Sequence, residues 1–537
     1  MTYVFLRKSF QLLIDSGLIK RGAVVGFALA LGGCAGLPQK TSAPPRQLVV
    51  DGLNLSYVND TLVRGFSEIR DRAYQQPDLD QLFTAALTGL QTIDPAIMTS
   101  TVDDHVVVDY QDQRLIDLPP AARSDVAGWS LSTLRTLMAA RKTSPLLHAA
   151  DEEAIYKALF TKALTLIDPY SRYSGRQDAI RNRLVRDGVI GLGVRLELQD
   201  DGALVKAIVN EGPADIVGVK IGDIITHANG APLTNQTLVQ VRHRLDGTIG
   251  TRVALTIRRE GEPQPLEITA ALDLVVPDTV TANFNNGVLE LKVSSFNQRT
   301  ALAVEKAVVA ARDGSEKLKG IVLDLRGDPG GLLDQAVDMA DLFLETGTIA
   351  SLHGRHPGAN QYYAAKPGDI VLGTPLAVII DGKSASAAEI VAAALQDNHR
   401  AAVVGTVSWG KGSVQTLRKL PNGGEIALTW SRVVVPRGVA LHGLGLMPDV
   451  CTSGAPATVG EILEAVSVDT RPGSAVRREW KDAADDVDLH TRLRTECPAE
   501  AHPDYPLDLE VARRIVSDQQ LFVQAVHEDT LQFAAKY

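Results

Sequence analysis

One stretch in the second half of the chain constrains the fold more than any other. Between Leu376 and Gln415, an apolar run, LAVIID, is followed by GKSASAAEIVAAALQD, a second apolar run, AAVVG, and then TVSWGKGSVQ. These periodicities predict a strand, a tight turn, a helix, a second strand and a loop. Ser386 falls where the helix begins, and Lys411 falls in the glycine-flanked loop. Because a lysine at the end of a neighbouring strand can reach a serine at such a turn, the pattern predicts a Ser–Lys nucleophile and base.

The same serine has a simpler structural interpretation. Ser386 and Glu389 fit the S-x-x-E pattern of a helix capping box, and Ser384 competes for the same cap. On these residues alone, a capping role for Ser386 is favoured over catalysis. A penicillin-interacting S-x-x-K site is excluded at Ser386, because the fourth residue is Glu389.

Taken with its neighbours, the stretch resembles the signature of a known family. DGKSASAAEIVAAALQD followed by VVGTVSWGKGSVQ is similar to the motifs of the C-terminal processing (tail-specific) serine peptidases, and the resemblance covers roughly residues 154–450. It implies that Ser386 is the nucleophile, Lys411 the base and Gln415 the residue that orients the lysine. Ala388 stands where the family has a third serine, beside the site but outside it. Because of this resemblance, we favour a catalytic role for Ser386 over a role in capping alone.

A glycine loop upstream supplies a second part of this site. Ile321–Leu325 reads as a buried strand, and Gly327–Gly331 follows it with the sequence GDPGG, where the family has N-P-G-G. Glycines let backbone amides approach a substrate closely at a helix N-terminus. By resemblance, the amides of Gly331 and Ala387 form the oxyanion hole. The alternatives are a phosphate cradle or a plain turn, and GDPGG lacks the spacing and the lysine of a P-loop.

A run of short strands and glycine turns precedes the peptidase motifs. EGPADIVGVKIGDIITHANG is the most specific part of a resemblance to permuted bacterial PDZ domains over about residues 187–261. Gly191, Leu192, Gly193 and Val194 match the carboxylate-binding loop, whose consecutive N–H groups would hold a terminal carboxylate beside a strand edge. Taken alone, GLGV is only a strand with glycine bends. Within the whole module we expect peptide binding, with the helix Thr237–Leu245 as the other wall of the groove.

The N-terminus has the features of a bacterial lipoprotein signal. Basic residues precede GAVVGFALALGGC, an apolar run that is short for a membrane span. The LGGC at Leu31–Cys34 resembles a lipobox, which implies a signal peptide over residues 1–33 and lipid on Cys34. The alternative is a buried cysteine in a plain signal peptide or signal anchor. A lipidated chain would be anchored to a membrane on the periplasmic side of the cell envelope, with residues 34–48 as a tether.

Composition excludes several function classes. The net charge is −10 and no basic block is present, so we do not expect nucleic-acid binding. No histidine–cysteine cluster has zinc spacing, and we expect neither a metal nor a cofactor. Besides Cys34, the chain has two cysteines, Cys451 and Cys497, an even number that is compatible with a disulfide in an oxidising compartment. A disulfide and two unpaired buried thiols are equally compatible with this pair.

The fold class expected from these segments is multidomain α+β. Repeated β-α-β units predict a parallel or mixed sheet in the peptidase core, and the resemblance implies an α/β arrangement of the ClpP/crotonase kind. In chain order, the expected domains are an N-terminal helical region at 49–186, the PDZ domain at 187–272, the peptidase core at 273–456 and a C-terminal helical tail at 457–537.

The segment DPYSRYSG, at the end of the helical region, resembles the D-P-H-S-x-Y segment of the same family. Tyr170 stands in place of the family's histidine. Asp168 and Ser171 are residue types that cap and turn a chain, and we expect that role for them instead of chemistry.

Two function classes remain. The first is a lipid-anchored serine endopeptidase that captures the apolar C-terminal tails of exported proteins in its PDZ groove and cleaves them, alone or with an adaptor or as a homo-oligomer. The second is a catalytically weak PDZ scaffold at the membrane. The joint presence of Ser386, Lys411 and Gln415 favours the enzyme. Eleven histidines are available for an alternative Ser-His-Asp triad, among them His227, His353 and His442, and none of these lies in a recognisable triad motif.

Overall fold

The computed structural model describes residues 49–50, 52–119, 125–438, 440–454, 458–467 and 486–526. The expected signal peptide, the expected lipid site at Cys34 and the tether all lie outside these residues. Within the described ranges, no helix is both long enough and apolar enough to cross a bilayer.

The N-terminal region packs its helices around an aromatic core. Phe66, Phe83, Trp129 and Phe160 are fully buried, and Phe83 stacks on Trp129 with ring centroids 4.9 Å apart. The first five helices each begin after an Asn, Asp or Ser whose side chain accepts a hydrogen bond from the first turn. The helices are Leu55–Arg72, Leu79–Thr88, Val126–Thr143, Pro145–Ala149, Glu152–Thr165 and Arg176–Asp187. The helical character expected for this region is therefore observed.

The same region also contains a three-stranded antiparallel sheet that the sequence did not lead us to expect. Its strands are Ile97–Val102, His105–Tyr110 and Gln113–Leu118. Val106 and Val108 are buried against the helices, whereas most side chains of the outer strands are at least half-exposed. The strands mix polar and apolar residues without a strict alternation, so their pattern is weaker than the helical periodicity on both sides.

The PDZ-like module is built on an antiparallel sheet. Its main strands, in spatial order, are Leu266–Ala271, Arg252–Arg258, Ile224–Ala228, Gly202–Ile208 and Val194–Gln199. The strand Val194–Gln199 is one of the two outer strands of this sheet, and we refer to it as the edge strand. The helix Leu238–Arg244 belongs to the same module. Val189–Gly191 and Asp273–Val275, which flank the module, pair with each other. This pairing brings the two ends of the module together at the peptidase core.

The peptidase core is built on a six-stranded mixed sheet. In spatial order its strands are Val280–Asn285, Val288–Val293, Gly320–Asp324, Leu376–Ile380, Ala402–Gly405 and Val450–Cys451. The first two strands pair antiparallel, and the remaining neighbours pair parallel. The expected multidomain α+β fold with a mixed sheet is confirmed.

Helices cover both faces of this sheet. Leu323 and Val378 belong to the hydrophobic cluster on one face, and Val322 and Ile379 belong to the cluster on the other, as the alternation of strand side chains requires. The helices of the first face are Thr300–Arg312, Leu333–Asp341 and Ala387–Asp397. The second face is covered by the tail helices Val459–Ser467, Pro506–Ser517 and Gln519–Val526. The tail therefore completes the core.

A second sheet carries the strand that follows Lys411. Its strands, in order, are Gln361–Ala364, Thr348–His353, Glu425–Val434 and Ser413–Lys419. Arg172–Ser174, from the N-terminal region, pairs with Glu425–Val434. This pairing brings the DPYS segment to the peptidase core.

A disulfide joins Cys451 to Cys497. Of the two alternatives that the sequence left open, the structure has the bonded pair. The bond links the last strand of the core sheet to the chain just after the tail helix Val487–Arg494. The tail is therefore covalently attached beside the end of the sheet.

Candidate active site

Ser386 lies on a strained turn between the strand Leu376–Ile380 and the helix Ala387–Asp397. Its φ is +58° and its ψ is −113°, a conformation that is unfavourable for a residue with a side chain. The buried hydroxyl of Ser384 fixes the turn by donating to the Leu325 carbonyl at 2.8 Å. A strand–turn–helix of this kind presents a serine at the N-terminus of the helix, as a nucleophile elbow does.

Glu389, in the first turn of that helix, joins the serine to the lysine loop. Its fully buried carboxylate accepts the Ser386 amide at 2.7 Å, which is the helix-capping contact expected from the sequence. It also accepts the amides of Gly410 at 2.7 Å and Lys411 at 3.0 Å and the hydroxyl of Ser408. Burial raises the pKa of Glu389, and these donors oppose the shift. One carboxylate thus fixes both candidate catalytic segments.

Lys411 sits in a loop with a glycine on each side, directly before the strand Ser413–Lys419. A Cβ on Gly412 would lie 2.2 Å from the backbone nitrogen of His442, so the loop can pack there only with glycine. The Lys411 Nζ lies 5.6 Å from the centre of the Tyr170 ring. Within the described residues, Nζ makes no hydrogen bond or ion pair.

The surroundings of Lys411 favour the neutral amine that a base requires. Burial is the largest influence and lowers the pKa of Lys411, and the charge of Arg172 lowers it further. Glu389 and Asp168 act in the opposite direction. Because neither carboxylate forms an ion pair with Nζ in the described part of the chain, the net shift is downward.

Gln415 lies in the same cavity as the lysine but is bonded elsewhere. Its amide nitrogen donates to Ser413 Oγ at 3.0 Å and to Thr429 Oγ1 at 3.1 Å, and not to Lys411. Thr429 Oγ1 in turn donates to Asp168 at 3.0 Å. The structure places Gln415 beside the lysine without the direct contact expected from the resemblance.

The turn made by Asp168 has the capping role that the sequence predicted. Its carboxylate accepts the amides of Tyr170 at 2.7 Å and Ser171 at 2.8 Å, together with the Ser171 hydroxyl at 2.7 Å. The Ser171 hydroxyl also accepts the Thr429 amide at 3.0 Å. These bonds attach the DPYS turn to the peptidase sheet and hold Tyr170 near the lysine.

Two backbone amides beside the serine are left for a substrate. Gly331 pairs with Phe296 in a parallel bridge. In this bridge the Gly330 carbonyl and the Leu332 amide bond to Phe296, so the Gly331 amide is on the side of the strand that faces away from Phe296. Ala387 is the first residue of its helix, where N–H groups have no intrahelical acceptor. A Cβ on Gly330 would lie 2.8 Å from the Ala387 nitrogen, so the two loops are in direct contact.

A cavity of about 770 Å³ joins these groups. The predicted site residues along its wall are Ser386, Lys411, Gln415, Gly331 and Ala387. No hydrogen bond joins the Ser386 hydroxyl to the Lys411 amine within the described residues. The residues predicted from the sequence are therefore together in one site, with the serine and lysine side chains not yet in contact.

The candidate histidines lie elsewhere. Among the described residues, no histidine lines the cavity. His227 is in the PDZ-like sheet, His353 is bonded to Ser351, and His442 contacts the Tyr170 ring edge-on at 6.1 Å. The ranges that the structure covers also contain no cluster of three or more potential metal ligands.

The predicted peptide groove is a separate cavity of about 460 Å³ beside the edge strand Val194–Gln199. It is lined by side chains of that strand, by Lys206 on the neighbouring strand and by Leu238 on the facing helix. The strand begins at the predicted carboxylate-binding loop, in which Leu192 is buried and Gly193 has a φ of +76°. Because an edge strand has one side without a neighbour, this geometry can accept an extended peptide.

Comparisons with known proteins identify two domains and a protein family. The sequence profile of Peptidase family S41 matches residues 287–452, and that of the PDZ domain matches residues 191–270. A carboxy-terminal-processing protease of Bartonella bacilliformis is 34% identical over 378 residues, which are 66% of this chain and 86% of that protein. The chain belongs to this family of carboxy-terminal processing proteases.

Two further carboxy-terminal processing proteases are similar to this chain. The carboxy-terminal processing protease CtpA of Bacillus subtilis is 30% identical over 305 residues, covering 56% of this chain and 64% of that one. The solved photosystem II D1 C-terminal processing protease aligns at 22% identity with a TM-score of 0.34, covering 70% of this chain and 92% of that one. As a member of the family, the chain is a serine-type peptidase whose PDZ domain implies a protein substrate.

Sequence reasoning missed two contacts of this protease site. Tyr170 approaches the lysine across a large sequence distance, and its only signal was the departure from the family's histidine. Glu389 was expected to cap the serine helix, but its bonds to Gly410 and Lys411 were not foreseen. A carboxylate with several buried backbone donors has no sequence signature beyond the S-x-x-E pattern.

Proposed function

We propose that this carboxy-terminal processing protease cleaves C-terminal tails of exported proteins with a Ser386–Lys411 dyad. The observation that carries the proposal is the single cavity shared by these two side chains and by Gly331 and Ala387. A serine on a strained turn, a desolvated amine and two unused amides are the groups that acyl transfer requires.

In the proposed reaction, Ser386 Oγ attacks the scissile carbonyl carbon while neutral Lys411 takes the hydroxyl proton. The tetrahedral oxyanion accepts hydrogen bonds from Gly331 and Ala387, each worth roughly 3 kcal/mol in such sites. Collapse breaks the C–N bond, and the Lys411 ammonium returns the proton to the departing amine. Water, deprotonated by Lys411, then hydrolyses the acyl-enzyme and restores the serine. Because serine and lysine share no hydrogen bond in this structure, substrate binding must bring them together.

Gln415 is the residue that we propose orients the lysine during this cycle. Its side chain shares the cavity with Lys411, and its present bonds to Ser413 and Thr429 keep it at the lysine strand. An amide has no charge, so it can accept a hydrogen bond from the amine without stabilising the cation as a carboxylate would.

The PDZ domain would select the substrate. An extended tail would add a strand to Val194–Gln199, and its terminal carboxylate would bind the N–H groups of residues 191–194. Leu196, Leu198 and Leu238 supply apolar side chains to the groove, which supports a preference for apolar tails.

Lipid on Cys34 would anchor the mature protease to a membrane on the periplasmic side. This part of the proposal rests on LGGC at the end of an apolar run. Cys34→Ser should move the protein from the membrane fraction to the soluble fraction of cells. A Cys34→Ser protein that stays in the membrane fraction would count against the lipid.

The direct test uses an unfolded reporter protein that ends in an apolar tail. We expect the wild type to cleave it, and we expect Ser386→Ala and Lys411→Ala to lose at least about 10³-fold in kcat/KM while keeping the wild-type Tm. Lys383→Ala is the matched control, because Lys383 lies on the same turn as Ser386 but is exposed. It should retain activity within about threefold of the wild type.

A catalytically weak PDZ scaffold is the second candidate, favoured by the missing hydrogen bond between Ser386 and Lys411. The same assay separates the two functions when tail binding is measured beside cleavage. Binding without cleavage, even with membranes, candidate adaptor proteins and protein concentrations that promote homo-oligomers, would leave the scaffold as the function.

A further inference from the structure

Asp328 has a fully buried carboxyl group in the glycine loop that carries Gly331, one of the two candidate oxyanion amides. Its Oδ1 accepts the Gly330 amide at 2.7 Å. Its backbone carbonyl accepts the Ala385 amide at 2.9 Å, directly before Ser386. Asp328 therefore contacts both the glycine loop and the serine turn through short hydrogen bonds.

The other carboxyl oxygen, Oδ2, is buried and has no hydrogen-bond partner. An ionised carboxylate in that position would lose its hydration without compensation, so the group remains protonated instead. Burial raises the pKa of Asp328 to about 8, and only the Gly330 amide opposes the shift.

Charged groups on the surrounding elements do not change this conclusion. Arg326, on the same loop, binds Asp324 and Asp508. Asp381, on the serine turn, accepts the amides of Gly327 and Lys383, among others. The other charged side chains of the serine turn, its helix and the lysine loop are Lys383, Glu389, Lys411 and, at the far end of the helix, Asp397, which binds Arg437. In the part of the chain that the structure describes, none of these groups pairs with the Asp328 carboxyl.

We propose that the neutral Asp328 carboxyl is a positioning group that holds the oxyanion loop against the Ser386 turn. The proposal rests on the proposed Ser–Lys function. Gly330 has a φ of +92°, and a Cβ there would lie 2.6 Å from the Ala385 carbonyl oxygen and 2.8 Å from Ser386 Cβ, so the loop is packed tightly against the turn. Loss of the proton would force Oδ2 to acquire water, and the loop must open to admit it. The Gly331 amide then leaves the position in which it stabilises the oxyanion.

The protonation state that Asp328 requires is opposite to the one that Lys411 requires. Lys411 must lose a proton for activity, whereas Asp328 must keep one. An open oxyanion loop weakens transition-state binding, so the loss at alkaline pH should be in kcat, with KM for the tailed substrate unchanged. Asp328→Asn has the same shape, keeps an acceptor for the Gly330 amide and cannot ionise.

The test measures kcat and KM for the tailed reporter between about pH 6 and about pH 10. Wild-type kcat should fall several-fold as the pH passes about 8, whereas Asp328→Asn should show no fall in that range. Asp338→Asn is the matched control, because it removes an exposed carboxylate from the helix that follows the loop, and it should follow the wild type. An alkaline fall in Asp328→Asn equal to that of the wild type would overturn the proposal.

Thermal stability provides a readout that does not depend on catalysis. The folded protein keeps the Asp328 proton up to about pH 8, while the unfolded chain loses it near the ordinary aspartate pKa of 3.8. Folding stability should therefore decline with rising pH across this window, and the Tm of Asp328→Asn should exceed that of the wild type by a margin that grows with pH. A constant Tm difference overturns the Asp328 proposal alone. Absence of cleavage by wild type and variant at every pH overturns the proposed function, and the positioning role with it.

Discussion

Glu389 holds the two catalytic segments together through one buried carboxylate. The Ser386 amide belongs to the serine turn, and the amides of Gly410 and Lys411 belong to the lysine loop. Hydrogen bonds to a charged group each contribute about 1.5–3 kcal/mol. The residue that first suggested a purely structural role for Ser386 therefore also sets the distance between serine and lysine.

Glu389→Gln should impair both stability and activity. Glutamine has the same shape but only one acceptor oxygen, so at least one backbone amide loses its partner. We expect a loss of about 2–3 kcal/mol in unfolding free energy and a reduction of about 10–100-fold in kcat. Denaturant unfolding and reporter cleavage measure the two effects. Glu345→Gln is the control, because Glu345 binds two loop amides in an exposed position. Equal effects of the two variants would contradict the proposal that Glu389 holds the serine turn and the lysine loop together.

The Tyr170 ring lies beside the Lys411 amine, with Nζ 5.6 Å from the ring centre. Because burial is the largest influence on the pKa of Lys411, admitting water at this position should raise that pKa. We expect Tyr170→Ala to move the acidic limb of the pH–activity profile to higher pH, while Tyr170→Phe keeps the wild-type profile. A Tyr170→Ala profile that moves toward lower pH would instead mean that the ring acts mainly by stabilising the cation.

At the scale of elements, the C-terminal tail supports the lysine loop. Arg494, at the end of the helix Val487–Arg494, donates to the carbonyls of Leu444 at 2.5 Å and Ser408 at 3.3 Å. Ser408 precedes the lysine by three residues and also donates to Glu389. The Cys451–Cys497 disulfide keeps this part of the tail beside the core sheet.

Removal of the disulfide should loosen this support. The bond closes a loop with a sequence separation of 46 residues, and its loss costs about 4 kcal/mol in the chain-entropy model. The double variant Cys451→Ser/Cys497→Ser should have a lower Tm than the wild type and a several-fold lower kcat. Reductant should lower the wild-type Tm in the same way and leave the variant unchanged. A wild-type Tm that does not respond to reductant would show that the bond is absent in solution.

Elements with a strong period could be predicted from the sequence, and those that depend on distant contacts could not. The strand, turn and helix around Ser386 and the strands of the PDZ module follow from local patterns of apolar residues and glycines. The antiparallel sheet from Ile97 to Leu118 was missed because its strands mix polar and apolar residues without a strict alternation. The tail helices were seen, but not the sheet face that they cover.

The same distinction holds within the site. These four residues come together because each lies close to the end of a strand or helix of the peptidase core: Ser386, Lys411, Gly331 and Ala387. The direction in which a side chain turns is set by tertiary packing, so the sequence did not reveal the bonds of Gln415 or the burial of Asp328. The pairing of the cysteines was also open, since spacing alone does not show whether two thiols meet.

At the scale of the whole molecule, three parts of the chain contribute to one proteolytic function. The N-terminal region reaches the cavity through Arg172, and the core supplies the serine and lysine. The PDZ module connects to the core through the paired strands Val189–Gly191 and Asp273–Val275. Because the groove and the cavity are separate, tail binding and cleavage should be separable by substitution.

Leu238→Asp should weaken tail capture without affecting chemistry. Leu238 lines the groove, and a charge there opposes burial of an apolar tail, which should raise KM for the tailed reporter by about tenfold. At saturating substrate, kcat should remain that of the wild type. Val239→Asp is the matched control, because Val239 is the next residue of the helix and is exposed outside the groove. A fall in kcat with unchanged KM would assign the helix to catalysis instead.

The central claim is that Lys411 acts as a base in its neutral form, and the pH dependence of kcat/KM tests it most directly. The account predicts that wild-type activity rises with a pKa well below the ordinary lysine value of 10.5, because burial lowers the pKa of Lys411. Lys411→Arg should be inactive at every pH, since a guanidinium keeps its proton, while Lys383→Arg retains the wild-type profile. An active Lys411→Arg protein, or a wild-type rise that begins only near the ordinary lysine pKa, would contradict the account.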